Sequence, residues 1–222
     1  THALIDYASR KGVRIFEPTE MNGHHFDEEK ETMIISTKNG YSIQARHVIF
    51  AAGYEGIEIK QEKKASFVST FTVTTNQVDD LSDWYNRTLI WETARPYIYM
   101  RTTNDNRIII GGLDDNTNYP EDRDSKLVNK RNLLIEELNK RFPTINAQAE
   151  YYLTAFYGGI VDGIPIIGQY GDFPSCYFLF AFGDNGTVYS QLLSKIIATD
   201  IIEGNSPDID LYLQDRPLLN NN

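Results

Sequence analysis

Tyr177-Phe178-Leu179-Phe180-Ala181-Phe182 runs directly into Gly183-Asp184-Asn185-Gly186-Thr187, and then Val188, Leu192, Leu193, Ile196 and Ile197 follow. Six apolar residues in a row read as a strand, and the glycine-rich break after them reads as a turn. Apolar positions at three- and four-residue steps mark one face of a helix. Strand, glycine turn and helix make a piece of α/β structure near the end of the chain. A helix entered this way leaves its first N–H groups without carbonyl partners, which suits an anionic or carbonyl-bearing group. An ordinary cap from Asp184 or Asn185 accounts for the same residues.

Upstream, Gly158-Gly159-Ile160-Val161-Asp162-Gly163-Ile164-Pro165-Ile166-Ile167-Gly168 combines turn residues with a short apolar strand and specifies backbone shape more than reactivity. Tyr151 to Tyr157 reads as a strand. Leu127, Val128, Leu134, Ile135, Leu138 and Phe142 recur at helical spacing, and Pro143 stops the segment. Charged residues fill the other face of that helix, as expected of a helix lying on a sheet. Tyr97 to Arg101 and Arg107 to Ile110 flank Asn104-Asp105-Asn106 as a hairpin. Phe67, Ser69, Phe71, Val73 and Thr75 alternate with Val68, Thr70, Thr72 and Thr74, the pattern of a strand.

The beginning of the chain returns to α/β character. Leu4 to Arg10 reads as a helix with Gly12 past its end, Val13 to Phe16 as a short strand, and His24-His25 as part of a polar loop. Thr32 to Thr37 and Tyr41 to Gln44 flank Asn39-Gly40, the dipeptide of a tight hairpin. His47-Val48-Ile49-Phe50-Ala51-Ala52 ends at Gly53 and reads as a strand buried on both faces. Its small last residues, Ala52 and Gly53, let a cofactor lie against the backbone. The charged stretch Glu55 to Lys64 reads as a crossover. The expected fold class is therefore α+β: a mixed or antiparallel β-sheet domain with a long covering helix, over 58–157, set between two parts of an α/β domain, 1–57 and 158–222.

Composition narrows the function. With 222 residues, 41% hydrophobic and 23% charged, the chain is an ordinary globular one and neither disordered nor collagen-like. Thirty-one acidic against 21 basic residues give a net charge of −10, which disfavours nucleic-acid partners. No apolar run is long enough to span a membrane, and the first residues lack the basic and apolar regions of a secretory signal. Cys176 is the only cysteine, so an internal disulfide and a zinc ribbon are both excluded; one thiol fits a reducing cytoplasm. H-E-x-x-H, G-x-S-x-G and the phosphate-binding G-x-x-x-x-G-K-[ST] are all absent. The four histidines show no ligand spacing, and no metal site is expected.

In order, Ala8 to Phe16, His47 to Gly53, Glu92-Thr93-Ala94-Arg95-Pro96-Tyr97, Asp105 to Gly112, Asp162 to Gly168 and Gly183-Asp184-Asn185-Gly186 run through almost the whole chain. In this succession the sequence resembles the C-terminal part of the FAD-dependent oxidoreductases of the D-amino-acid oxidase, glycine oxidase and sarcosine oxidase superfamily. The resemblance implies that the outer segments are the remnant of a Rossmann-like α/β FAD-binding domain and that the central one is a substrate domain. Members of that family begin with a strand, a G-x-G-x-x-G turn and a helix; no G-x-G-x-x-G occurs here. The chain therefore reads as a fragment lacking the cofactor-binding front, which alone would bind FAD poorly and be inactive.

For the intact parent, the resemblance implies hydride transfer from the carbon beside an amine nitrogen of a small-molecule amine or amino acid to the flavin, giving an imine. Gly183, Asn185, Gly186 and Thr187 would face the cofactor, with Ala52 and Gly53 on the cofactor side of the remnant domain. Relatives acting on free amino acids commonly carry an Arg shortly before the Asp-Gly turn; here the position is Tyr157. Arg95 and Arg101 are the possible substitutes. Phe182 and Asp184 stand where relatives often show His and Gly. Some relatives attach flavin through a Cys before that turn, but Tyr151 to Gly159 contain none, so non-covalent FAD is expected. Tyr97, Tyr99 and Tyr157 would wall the substrate site with Arg95, although each tyrosine suits packing of the sheet equally well. No individual catalytic residue is assigned. The reading from another class is a non-catalytic module, without the cofactor half, that binds a ligand or partner.

Overall fold

The chain opens with helix α1 (His2–Arg10), which stops where Gly12 takes a φ of +96°. No residue of this helix is buried. Strands β1 (Met21–Asp27), β2 (Thr32–Thr37) and β3 (Ser42–Ala45) form an antiparallel sheet in that order. The turn between β2 and β3 is the Asn39-Gly40 hairpin, with Gly40 at φ +81° and its N–H donating to the Thr37 carbonyl at 2.9 Å. Strand β4 (Val48–Phe50) and the one-turn helix α2 (Gly56–Ile59) follow.

The middle of the chain contributes β5 (Ala65–Thr75), β6 (Ile90–Trp91), β7 (Ile98–Thr102), β8 (Ile108–Asp115), helix α3 (Pro120–Arg141) and β9 (Ala149–Ile160). Strands β10 (Ile166–Gly168) and β11 (Cys176–Phe180) and helices α4 (Gly186–Glu203) and α5 (Pro217–Asn220) complete it. This is a computed structural model that describes every residue except Arg95, Asn118, Asp184, Asn221 and Asn222.

The chain divides into two compact units. The first holds Thr1–Ile59, Ile166–Phe180 and the segment starting at Val188; the second holds Lys60–Pro165 and Ala181–Thr187. The first unit has a mixed sheet, β10-β11-β4, in which β11 pairs antiparallel with β10 and parallel with β4. Its core stacks Phe50 on Phe178 at 4.4 Å, with Phe173 edge-on to Phe178 at 4.9 Å.

In the second unit five antiparallel strands run β6-β7-β8-β5-β9. Alternation along them sends Phe71, Val73, Ile98, Met100, Ile108 and Ile110 to one face, where they pack with Leu134 and Leu138 of α3. Burying each such side chain contributes roughly 1.5–3 kcal/mol. Helix α3 begins with Pro120, Glu121 and Asp122 and ends with Lys140 and Arg141, the order that its dipole favours. Its basic residues also cover aromatic rings of the sheet: Arg123 over Phe156 at 4.9 Å, Arg131 over Tyr152 at 5.0 Å and Lys130 over Phe71 at 5.0 Å.

The α+β class and the long covering helix are as the sequence predicts. Three local expectations change. Val13 to Phe16 is irregular and exposed, because among the described residues no strand pairs with it. His24 and His25 lie within β1, paired with Ile35 and Ile34, since hydrogen bonding to β2 outweighs a polar local sequence. The strand expected from His47 to Ala52 is shorter and is not buried on both faces: Ile49 is 48% exposed.

Candidate functional site

The sheet of the second unit has a face turned away from α3, and strand alternation decides what it carries. Thr70 and Thr72 of β5 alternate with the core residues Ser69, Phe71 and Val73. Tyr99 of β7 lies between the buried Ile98 and Met100 and points the other way. Register then aligns Tyr99 with Gly111 of β8, and Gly111 with Thr72. The Tyr99 ring lies across Gly111, where a Cβ would overlap its ring carbons and hydroxyl. Beyond the glycine, the Tyr99 and Thr72 hydroxyls share a hydrogen bond of 3.1 Å.

The next residue of β8 shapes the edge. Gly112 has φ +123° and lies where a Cβ would run into the Tyr97 carbonyl, and Leu113 follows at φ +54°. The pairing with β5 shifts register between Ser69 and Phe71, so this is a β-bulge. Leu113 N–H donates to the Tyr97 carbonyl at 3.2 Å, which holds Tyr97 at the head of β7.

Trp91 pairs with Tyr99 across β6 and β7. The Trp91 and Tyr97 rings have centroids 6.3 Å apart, and the Tyr97 and Tyr99 rings 6.2 Å. Tyr157 of β9 stands opposite Val68 and shares the open face with Thr70. These four aromatic side chains, with Thr70 and Leu89, wall a cavity of about 710 Å³ that is also lined by Gly183 and Asn185. That size is within the range of small-molecule sites. None of these lining residues carries a formal charge.

Gly183 and Asn185 reach the cavity because Phe182, the residue before them, is buried and packs edge-on against Phe67 at 5.5 Å. Gly183 has φ +111°, and no atom lies within 4 Å of the place a Cβ would take, so its backbone is open. Gly186 begins α4, and a Cβ on it would come within 3.3 Å of the Ala181 carbonyl. No acidic residue occupies the first turn of α4.

Tyr97, Tyr99, Tyr157, Gly183 and Asn185 thus meet around one cavity, while Gly186 and Thr187 lie next to it in the chain. Ala52 and Gly53 belong to the first unit; both are exposed, and Gly53 has φ +58° with open space beside it. Arg95 and Asp184 lie outside the described residues. Arg101 is exposed and its guanidinium donates to the Thr102 carbonyl at 3.4 Å. Thr70, Leu89 and Trp91 are additions that the sequence reading does not single out. Alternation in β5 is the available signal for Thr70; a strand of two residues leaves none for Trp91.

Away from this cavity, in the first unit, two buried groups are strongly shifted. Burial pushes the Cys176 thiol up to about 11 and, with the hydrogen bond that Tyr177 donates to Asp200 at 2.8 Å, pushes the Tyr177 phenol up to about 12. Among the described residues, no three His, Cys, Asp or Glu side chains gather where a metal ion could sit, and no helix is long and apolar enough to cross a membrane.

Residues 1–199 match the family model described as FAD dependent oxidoreductase, DAO. No curated protein matches in sequence. Among solved structures, the chain superposes on L-proline dehydrogenase from P. horikoshii with a TM-score of 0.70 at 17% identity, covering 97% of this chain and 58% of that one. Glycine oxidase from Geobacillus kaustophilus gives 0.66 at 19%, covering 92% and 53%. L-amino acid deaminase from Proteus vulgaris gives 0.67 at 14%, covering 97% and 61%. At such identities the likeness is one of fold. The chain spans little more than half the length of these proteins.

Proposed function

The chain belongs to the family of FAD-dependent oxidoreductases, and from that premise we propose that it carries the substrate site of an enzyme oxidising the C–N bond of a small amine or amino acid to an imine. The observation that carries this reading is the cavity where an aromatic wall meets the open glycine turn at the head of α4. A substrate lying on that wall is shielded from water on the tyrosine side and faces backbone, not side chains, at Gly183.

The residues fit FAD. A flat ring needs backbone without side chains, and Gly183 supplies it: its position has open space and a φ that other residues rarely adopt. We assign Gly183, Asn185, Gly186 and Thr187 to the flavin ring, held non-covalently, since the one thiol, Cys176, is buried in the other unit. The first turn of α4 stabilises negative charge at its N-terminus. When bound, FAD supplies the hydride acceptor. Ala52 and Gly53 are a separate assignment, as backbone contacts of the cofactor on the first unit. Tyr97, Tyr99 and Tyr157, with Arg95, are assigned to the substrate.

In this scheme 58–157 is the substrate domain, and 1–57 with 158–222 belong to the cofactor domain. The sequence has no G-x-G-x-x-G for the pyrophosphate, so the 222 residues alone bind FAD weakly and are inactive. A cytoplasmic setting accords with the single thiol. The test is to purify the polypeptide encoded by the whole gene and add amines without oxygen. A yellow protein bleached by an amine supports the reading; a protein that stays colourless with excess FAD refutes it.

A further inference from the structure

We propose that Thr72 is a positioning residue of this cavity: its hydroxyl holds the Tyr99 ring down on Gly111 and so keeps the ring out of the space a ligand needs. The inference rests on the reading of the cavity as the substrate site and names what keeps that site open.

One row across the sheet builds the cavity floor. Strand register sets Trp91, Tyr99, Gly111 and Thr72 opposite one another on β6, β7, β8 and β5. Directly opposed side chains in such a row have Cβ atoms about 4.5–5.5 Å apart. Tyr99 is long enough to cross its neighbour, and Gly111 lets it, because a Cβ there would overlap the Tyr99 hydroxyl and Cζ. Lying across the glycine, the Tyr99 hydroxyl meets Thr72 Oγ1, two strands away, at 3.1 Å.

Packing leaves the ring one freedom. Ile98 and Met100, on either side of Tyr99, are buried in the opposite face, so the backbone of β7 is fixed and Tyr99 moves by its own torsions. Gly111 offers the ring a bare backbone with no side chain to grip it. Tyr99 is half-buried and lines the cavity, so the rotation that lifts the ring from the sheet carries it into that cavity. The hydroxyl pair opposes this rotation, because a hydrogen bond weakens steeply as its geometry is lost. One such bond shifts a two-state population roughly two- to tenfold. A raised ring takes the ligand's place, so apparent affinity falls in proportion to the fraction of molecules with the ring down. Substrate and transition state lose equally, which raises KM and leaves kcat as it was.

The experiment compares Thr72→Val, Thr72→Ser and Tyr99→Phe. In the 222-residue chain, the nuclear Overhauser contact between Gly111 Hα and the Tyr99 ring protons reports the fraction of rings held down. Thr72 is half-buried and valine has its shape, so Thr72→Val should fold; it is expected to weaken that contact by about half or more. Thr72→Ser, which keeps the hydroxyl, should restore it. Tyr99→Phe removes the other member of the pair and should weaken the contact as far as Thr72→Val does, with no further loss in the double variant. The whole-gene product is then reduced with sarcosine, glycine, L-proline and benzylamine, and the amine that bleaches it fastest is carried into kinetics. Thr72→Val should raise KM for that amine by the factor by which the contact falls, with kcat held. An unchanged Gly111–Tyr99 contact in Thr72→Val, additive losses in the double variant, or a kcat that falls while KM holds would each overturn the inference. A colourless whole-gene product beside a ring that lifts as expected would sink the oxidoreductase reading alone. A bleachable flavoprotein in which Thr72→Val leaves ring and KM as they were would sink this inference alone.

Discussion

Replacing Gly111 by alanine tests the geometry on which the cavity depends. The new methyl group would occupy the place of the Tyr99 ring, which lies across Gly111 to reach Thr72. The ring cannot retreat toward β5 without losing that contact, so it must swing toward the cavity. Overpacking of this kind costs about 1–3 kcal/mol, and the lost hydroxyl pair adds about 1 kcal/mol. Alanine's smaller unfolded-state freedom returns up to about 1 kcal/mol. The net expectation is a loss of about 2 kcal/mol, which at a urea dependence of about 2 kcal/mol per molar lowers the unfolding midpoint by about 1 M. Gly159→Ala is the internal control: the nearest atom to its new Cβ is Ser66 Oγ at 4.0 Å, so that strand variant should be neutral or stabilised. In a Tyr99→Ala background, where no ring remains to be displaced, Gly111→Ala should lose most of its cost, a coupling of about 2 kcal/mol. An equal cost for Gly111→Ala in both backgrounds, or no difference from Gly159→Ala, would refute the packing of Tyr99 over the glycine.

Thr75 is fully buried, and its hydroxyl accepts from Ile108 N–H at 2.9 Å while donating to the Asn76 carbonyl at 2.8 Å; Thr75→Val should cost about 1–3 kcal/mol in urea unfolding. Cys176 is buried with its thiol pushed up to about 11, so at pH 8 a disulfide reagent should label the native protein on the order of a hundredfold more slowly than the unfolded chain. Acid should destabilise the second unit. Hydrogen bonds from Arg141 and Lys140 hold Glu137 below its ordinary value; burial raises Asp115, but Lys130 and Lys126 outweigh it and the net shift is down. Groups lowered on folding contribute stability that is complete above their unfolded value of about 4 and is lost as pH falls through the folded one. The urea midpoint should therefore drop less between pH 6 and pH 3 in the Glu137→Gln/Asp115→Asn variant than in the parent, and equal drops would contradict the assignment.

Local chemistry made most of the elements legible from sequence. Asn39-Gly40 demands its hairpin, the alternation from Phe67 to Thr75 demands a strand, and Leu127 to Phe142 demand a helix, because turn dihedrals and the periods of 2 and 3.6 are properties of a few neighbouring residues. Where structure depends on a distant partner, that reading weakens. His24-His25 becomes strand through β2, and Val13 to Phe16 fails to because no described strand pairs with it.

The same division holds for the site. The sequence by itself determined that Gly183 opens a turn before a helix, that Tyr99 lies on a strand with Tyr97 at its head, and which family's motifs occur in what order. Only the tertiary structure decided that Thr70, Trp91, Tyr97, Tyr99, Tyr157, Gly183 and Asn185 surround one cavity. The physical reason is register. A slip of one residue between β7 and β8 would move Tyr99 off Gly111, and a slip within either strand's alternation would turn its ring into the core. That alignment is held by hydrogen bonds between strands and by the bulge at Gly112, interactions between residues far apart in the chain, and no local pattern specifies them.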